Sequence, residues 1–207
     1  MKFTKIISSL LALGAFLMLL SACQNVKQTQ LVLFDSLSFG MPPKSFEEVF
    51  GEVSEVEEET EMAYRDTWRA EDPYFYKTGR LFYDYENIAL NGYTGRARFT
   101  FSKSHRLEKA TVHIPVASKG EQYVVLNNLS QTIKKEIEAL PNFQSVTTET
   151  VGLYDDSYRY KVKLKGQRRE FWIDVYPTED ESVESQADKY TIRVDQFLIY
   201  PSASNAL

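Results

Sequence analysis

Four stretches of the chain alternate apolar and polar residues with a period of two, and that pattern restricts the fold more than any other feature. Ala97, Phe99 and Phe101 alternate with Arg96, Arg98 and Thr100, and Ala110, Val112 and Ile114 with Lys109, Thr111 and His113. Tyr158, Tyr160, Val162 and Leu164 alternate with Arg159, Lys161, Lys163 and Lys165, and Phe171, Ile173 and Val175 with Trp172, Asp174 and Tyr176. Successive side chains on a strand point to opposite faces, so each stretch reads as a strand with one buried and one wetter face, the signature of antiparallel sheet. Asn91-Gly92, Lys103-Ser104 and Gly166-Gln167 supply turn-like breaks. The aromatic-rich run Leu81 to Leu90 adds a strand, and Tyr190 to Tyr200 makes a last one after an acidic loop from Thr178 to Asp188.

Two segments carry helix signals instead. Ser45-Phe-Glu-Glu48 matches a capping box; Phe46, Val49 and Phe50 have helical spacing, Pro42 and Pro43 suit a helix start and Gly51 a stop. Ser118-Lys-Gly-Glu121 is a second capping box, followed by Leu126, Leu129, Ile133, Ile137 and Leu140 on one face of a long helix ended by Pro141. The order is helix, then three or four strands, given twice. The expected fold class is therefore α+β: two tandem helix-then-antiparallel-sheet modules, residues 31–116 and 117–200, with helices packed on one face of the sheet and 201–207 as a tail.

The N-terminus has a different character. Lys2 and Lys5 precede an apolar run from Ile6 to Leu20, too short to read as a membrane-spanning helix, and small residues close it. Leu20-Ser21-Ala22-Cys23 resembles a bacterial lipobox, at which the Cys sulfur is acylated and the preceding peptide removed. The resemblance implies a signal peptide over 1–22, lipidation of Cys23, a polar tether over 23–30 and a location in the cell envelope, lipid-anchored to a bacterial membrane and facing outside the cytoplasm. Cys23 is the one cysteine among 207 residues, so no disulfide can form within the chain. Loss of Lys2 and Lys5 with the signal would take the formal charge from -5 to -7. That sign argues against non-specific nucleic-acid binding.

Phe39-Gly40-Met41, then a helix holding Glu47-Glu48-Val49, then Gly51, resembles the opening of the β-lactamase-inhibitor-protein-like group, which includes small outer-membrane-assembly lipoproteins. The resemblance implies helix-then-strand modules and a binding or assembly role rather than catalysis. The chain departs from the group's pattern at Pro42-Pro43, where Thr or Ser is usual, and at Val53, where Pro often follows the glycine; the second half has no Gly-Met.

Catalytic signals are sparse. A Ser or Cys nucleophile needs a base within reach, yet His105 lies in a polar turn and His113 on the wet face of a strand, neither in a nucleophile motif. Two isolated histidines make poor zinc ligands, and no cofactor or metal is expected. Asp84 and Glu86 share a strand face and can pair with Arg96 and Arg98 across a hairpin; Asp155-Asp156 reads as a turn. The acidic run 52–61 reads as a solvated face. The aromatic content, 13 Tyr and 13 Phe, is the better clue. Trp68, Tyr74, Phe75 and Tyr76 cluster in a stretch with Glu71, Asp72 and Pro73 that reads as a loop, and Trp172 and Tyr176 share a strand face that Lys161, Lys163 and Arg193 can neighbour. Aromatics beside cations suit protein recognition; covered by a helix, they would be core. The expectation is a non-catalytic lipoprotein binding an envelope protein through Trp68, Tyr74, Tyr76, Trp172 and Tyr176. The alternative is a module for cell-wall glycan or a small solute.

Overall fold

The computed structural model describes residues 29–53, 55–64, 73–150, 156–167, 169–179 and 189–199. Helix α1 (Pro43–Phe50) precedes strands β1 (Glu55–Tyr64), β2 (Pro73–Leu90), β3 (Tyr93–Phe101) and β4 (Leu107–Val116). Helix α2 (Lys119–Glu138) precedes β5 (Phe143–Glu149), β6 (Tyr158–Leu164), β7 (Phe171–Glu179) and β8 (Tyr190–Leu198). All eight strands join one antiparallel sheet in the order β1-β2-β3-β4-β8-β7-β6-β5.

This overturns the expected fold of two tandem modules. Each half of the chain ends on a strand with an unpaired edge, and β4 and β8 pair along their length from Lys109↔Phe197 to Val116↔Tyr190. An exposed row of N–H and C=O groups is a template for pairing, and here the two halves satisfy each other's edges. The result is mainly β, with a single core instead of two.

That core lies on one face of the sheet. Tyr83, Tyr85, Ala97, Phe99, Phe101, Ala110, Val112 and Ile114 from the first half are buried together with Ile192, Val194, Phe171, Ile173, Val175, Tyr160 and Val162 from the second. α2 covers the second half with Val125, Leu126, Leu129, Ile133 and Ile137, all buried. Its N-cap is Ser118, whose hydroxyl accepts from the Glu121 N–H, while the Glu121 carboxylate reaches back to the Ala117 N–H at 2.8 Å. α1 covers the first half through Phe46, whose ring meets Phe99 at 4.8 Å and Phe101 at 5.4 Å. The capping box read at Ser45 is not used: the N-cap is Pro42, without a side-chain cap. Instead the Tyr83 hydroxyl donates to Glu47 Oε1 at 2.8 Å, and burial together with that carboxylate pushes the Tyr83 phenol up to about 12.

The segment 29–41 straps the gap between the helices. Leu31, Val32, Leu33, Leu37 and Phe39 are buried in it. Its backbone is tied to β8, since Val32 and Leu33 N–H both donate to Gln196 Oε1, at 3.0 and 3.2 Å. Gln196 is wholly buried, and its amide nitrogen has no partner among the described residues.

Candidate functional site

Both helices and the strap lie on the core face, so among the described residues the other face of the sheet is organised by cross-strand pairing. Side chains directly opposite on neighbouring antiparallel strands sit about 5 Å apart and interact. The registers align one residue from every strand into a transverse row: Glu55, Asp84, Arg98, Thr111, Asp195, Asp174, Arg159 and Glu149. A second row beside it runs Glu57, Phe82, Thr100, Lys109, Phe197, Trp172, Lys161 and Thr147.

The charged row is internally matched. The Arg98 fork grips Asp84 at 2.8 and 2.7 Å, and the Arg159 fork grips Asp174 at 2.7 and 2.6 Å, bidentate geometry that fixes both partners. Asp195, only 5% exposed, is the hub. It accepts from Thr111 Oγ1 at 2.7 Å, Lys109 Nζ and the Tyr176 hydroxyl at 3.1 Å, and Arg193 Nε at 3.2 Å. Burial alone would raise its carboxyl; Lys109, the Thr111 hydroxyl and Arg193 outweigh that and hold it below the usual carboxylate range. Burial and the neighbouring carboxylate push the Tyr176 phenol up. His113 stands between Arg96 and Arg193 in register, and burial, Arg193 and then Arg96 and Arg98 lower its pKa against the pull of Asp195.

The second row holds the aromatics. Trp172 meets Phe197 edge-on at 5.9 Å. The Arg159 guanidinium lies 4.3 Å and the Lys161 ammonium 4.9 Å from the indole centroid, while Lys109 lies 5.7 Å from Phe197. The Trp172 indole N–H is buried and has no partner among the described residues. A buried donor left unmade carries a real cost, and the half-buried ring beside it is held by cations rather than by an apolar layer.

Of the residues singled out in the sequence, Trp172 and Tyr176 stand on this face, with Lys161 beside Trp172 and Arg193 beside Tyr176 at 5.7 Å. Lys163 is an exposed neighbour on the same strand. Tyr74 and Tyr76, expected in a loop, are in β2, paired with Ala63 and Glu61. Cys23, Trp68 and Asp155 lie outside the described residues. Phe197, Lys109, Asp174 and Asp195 were not singled out. Alternation already placed Asp174 and Lys109 on the wet face, but only the register brings them beside Trp172 and Asp195.

Chemically, this face presents flat aromatic surface framed by fixed cations. Asp174 and Asp195 are opposite in register, but the Arg159 fork grips the first and four donors converge on the second; the Asp195 carboxyl, held low, is the reverse of the raised-pKa acid that general acid catalysis needs. No group of three or more His, Cys, Asp or Glu among the described residues has metal-holding geometry, and no helix among them is long and apolar enough to cross a membrane. A shallow cavity of about 270 Å³ lies at the rim, lined by Glu86, Asn87, Thr94, Gly95, Arg96 and Pro115, where the β2–β3 register shifts. Gly95 is required there, since a Cβ would lie 2.2 Å from the His113 carbonyl oxygen. No family model, no curated protein and no solved structure matches this chain.

Proposed function

We propose that this is a lipid-anchored, non-catalytic binding protein of a bacterial cell envelope, whose partner is another protein held on the open face of the sheet. The observation that carries the reading is the pairing of Trp172 with Phe197 inside a frame of Arg159, Lys161 and Lys109. Aromatic anchors beside arginine dominate protein–protein binding energies. Here they sit on a rigid sheet, with rotamers fixed by ion pairs, so little ordering entropy is left to lose on binding. The lipobox-like Leu20-Ser21-Ala22-Cys23 supports the anchor.

Crosslinking in intact cells tests the partner. The wild-type chain captures a specific envelope protein, and Trp172→Ala loses at least about tenfold of that capture, the effect of removing a hot-spot residue worth ~1.4 kcal/mol or more. Thermal unfolding of the variant checks that the sheet persists. Equal capture by a folded Trp172→Ala protein removes the aromatic site from the reading. The anchor is tested separately: Cys23→Ala should leave the membrane fraction or stop maturing. Unchanged retention and unchanged gel mobility would exclude lipidation at Cys23.

A further inference from the structure

The sheet ends on two strands, β1 and β5, and only one of them is guarded. The outer N–H and C=O groups of an edge strand are a template for another strand unless charge, proline or a break in register blocks the approach. β1 carries Glu55, Glu57, Glu58, Glu59 and Glu61, and its register with β2 shifts between Glu58 and Thr60. β5 has no such device over 145–148. That Ser-Val-Thr-Thr stretch holds no charge and no proline, and it runs in continuous register with β6 from Ser145↔Lys163 to Glu149↔Arg159. Valine and threonine favour extended backbone. Ser145, Thr147, Thr148 and Glu149 are exposed, and among the described residues no strand pairs with the outer edge of β5.

This edge is complementary to itself. Set antiparallel to a second β5 with Thr147 facing Thr147, it places Ser145 opposite Glu149 and Val146 opposite Thr148, and symmetry gives the reverse pairs. On the open face Ser145 stands beside Lys163, an exposed cation with no hydrogen bond or ion pair among the described residues. Neighbouring strands lie about 4.8 Å apart, so the Lys163 ammonium can reach over the short Ser145 to Glu149 of the second copy. The chain already makes one such reach, since Arg98 of β3 meets Glu57 of β1 at 3.3 Å across β2. Glu149, which pairs with Lys161 at 2.7 Å, would then lie between two cations. On the core face Val146 continues the row of buried Val162, and Thr148 that of buried Tyr160. Facing each other across the seam, they make favourable β-branched pairs. β1 set against a second β1 would instead crowd glutamates together, which is destabilising.

We infer that β5 docks antiparallel against β5 of a second copy of this chain, about a two-fold axis beside Thr147, so that one sheet runs through both protomers. The inference depends neither on the lipid anchor nor on the partner proposed for Trp172. A two-fold axis perpendicular to the sheet leaves both open faces on the same side. Thr147 faces Lys161 and Lys161 faces Trp172, so the axis lies in the row that holds the aromatic site. The two Trp172 sites then stand in one line, five strand spacings or about 24 Å apart. One strand-to-strand seam falls short of the ~1,000 Å² that a stable interface needs, so the dimer is weak and exchanges in solution.

Site-specific disulfide trapping of the full chain in mild detergent tests the register. Facing Cα atoms of an antiparallel pair lie about 4.5–5.5 Å apart, a separation that a disulfide spans. Thr147→Cys should therefore link two copies. Ser145→Cys, exposed on the same face, is four register positions from its counterpart, about 13 Å, and too far to bridge. The expected result is at least tenfold faster linkage at 147 than at 145, with the wild-type chain giving the background from Cys23. Sedimentation equilibrium supplies a second measurement. Thr147→Glu keeps Lys161 as a favourable neighbour within the protomer but sets like charges face to face across the axis, and Lys163→Glu turns its reach to Glu149 into repulsion. Each should weaken dimerisation about fivefold, with circular dichroism confirming that the sheet persists. Equal linkage at 145 and 147 overturns the inference. So does a folded Thr147→Glu chain that associates as well as wild type, or a wild-type chain that stays monomeric up to about 1 mM.

Discussion

Replacing Phe46 with alanine is expected to destabilise the fold by about 3–5 kcal/mol, the usual cost of emptying a fully buried aromatic site. Phe46 is 0% exposed and its ring has five aromatic neighbours: Phe50, Tyr83, Tyr85, Phe99 and Phe101, all with centroids within 6.0 Å. The loss is amplified because α1 depends on its packing. Eight residues are too few for a helix to persist unaided, and Pro42 offers no side-chain cap. What remains are the Phe50 ring, against Phe34, Tyr85 and Phe99 at 5.5, 5.0 and 4.9 Å, and two tyrosine hydroxyls, Tyr83 to Glu47 and Tyr85 to the Gly51 carbonyl at 3.0 Å. Urea unfolding of the wild type and the variant measures the difference. Val49→Ala, one turn along on the exposed side, should cost no more than about 0.5 kcal/mol. A Phe46→Ala loss below about 1 kcal/mol would mean that α1 does not close the core.

Asp195→Ala should cost about 3 kcal/mol near neutral pH, because it leaves Lys109, Arg193, Thr111 and Tyr176 facing a partly buried site without their common acceptor. Its pH dependence has a definite sign. The folded-state pKa lies below the unfolded value, so the carboxylate's stabilisation is present above the unfolded carboxylate pKa of about 3.9 and is lost as pH falls through the lower folded value. The unfolding free energies of wild type and variant should stay apart down to about pH 4 and converge below it. A gap that persists unchanged into stronger acid would show that the charge of Asp195 contributes nothing and only its shape matters.

The parts of this fold that were legible share a physical origin. α2 is set by local signals, a reciprocal cap at Ser118 and Glu121 and a stripe from Leu126 to Ile137, and both act within a few residues. β3, β4, β6 and β7 show themselves because a buried face on one side and water on the other impose period two. β1 was illegible because Glu55, Glu57, Glu58, Glu59 and Glu61 give an edge strand no apolar face. Its pairing is held instead by distant cations, Lys77 on Glu58 at 2.7 Å and Arg98 on Glu57 at 3.3 Å. β5 has the same difficulty, being a polar edge strand with only Phe143 and Val146 partly buried. The merger of the halves was out of reach for another reason. Alternation says which way a side chain points, not which strand lies beside it, so β4 reads the same whether its neighbour is β8 or water. The site suffered the same limit. Trp172 and Lys161 were recognisable as face-sharing residues, whereas the Asp195 hub exists only once β4, β7 and β8 are in register.

The β4–β8 seam also dictates the order in which the molecule becomes whole. Thr111 and Asp195, hydrogen-bonded across that seam, are 84 positions apart in the chain. β4 therefore waits with a naked edge while α2 and three further strands are made, and β8, the last of the described strands, closes the sheet. A chain emerging N-terminus first from a ribosome or a secretion channel cannot finish this core until β8 is out, and closure by such distant contacts is slow. Through that interval the waiting edge is the place where a chaperone would do the most good and a stray strand the most harm.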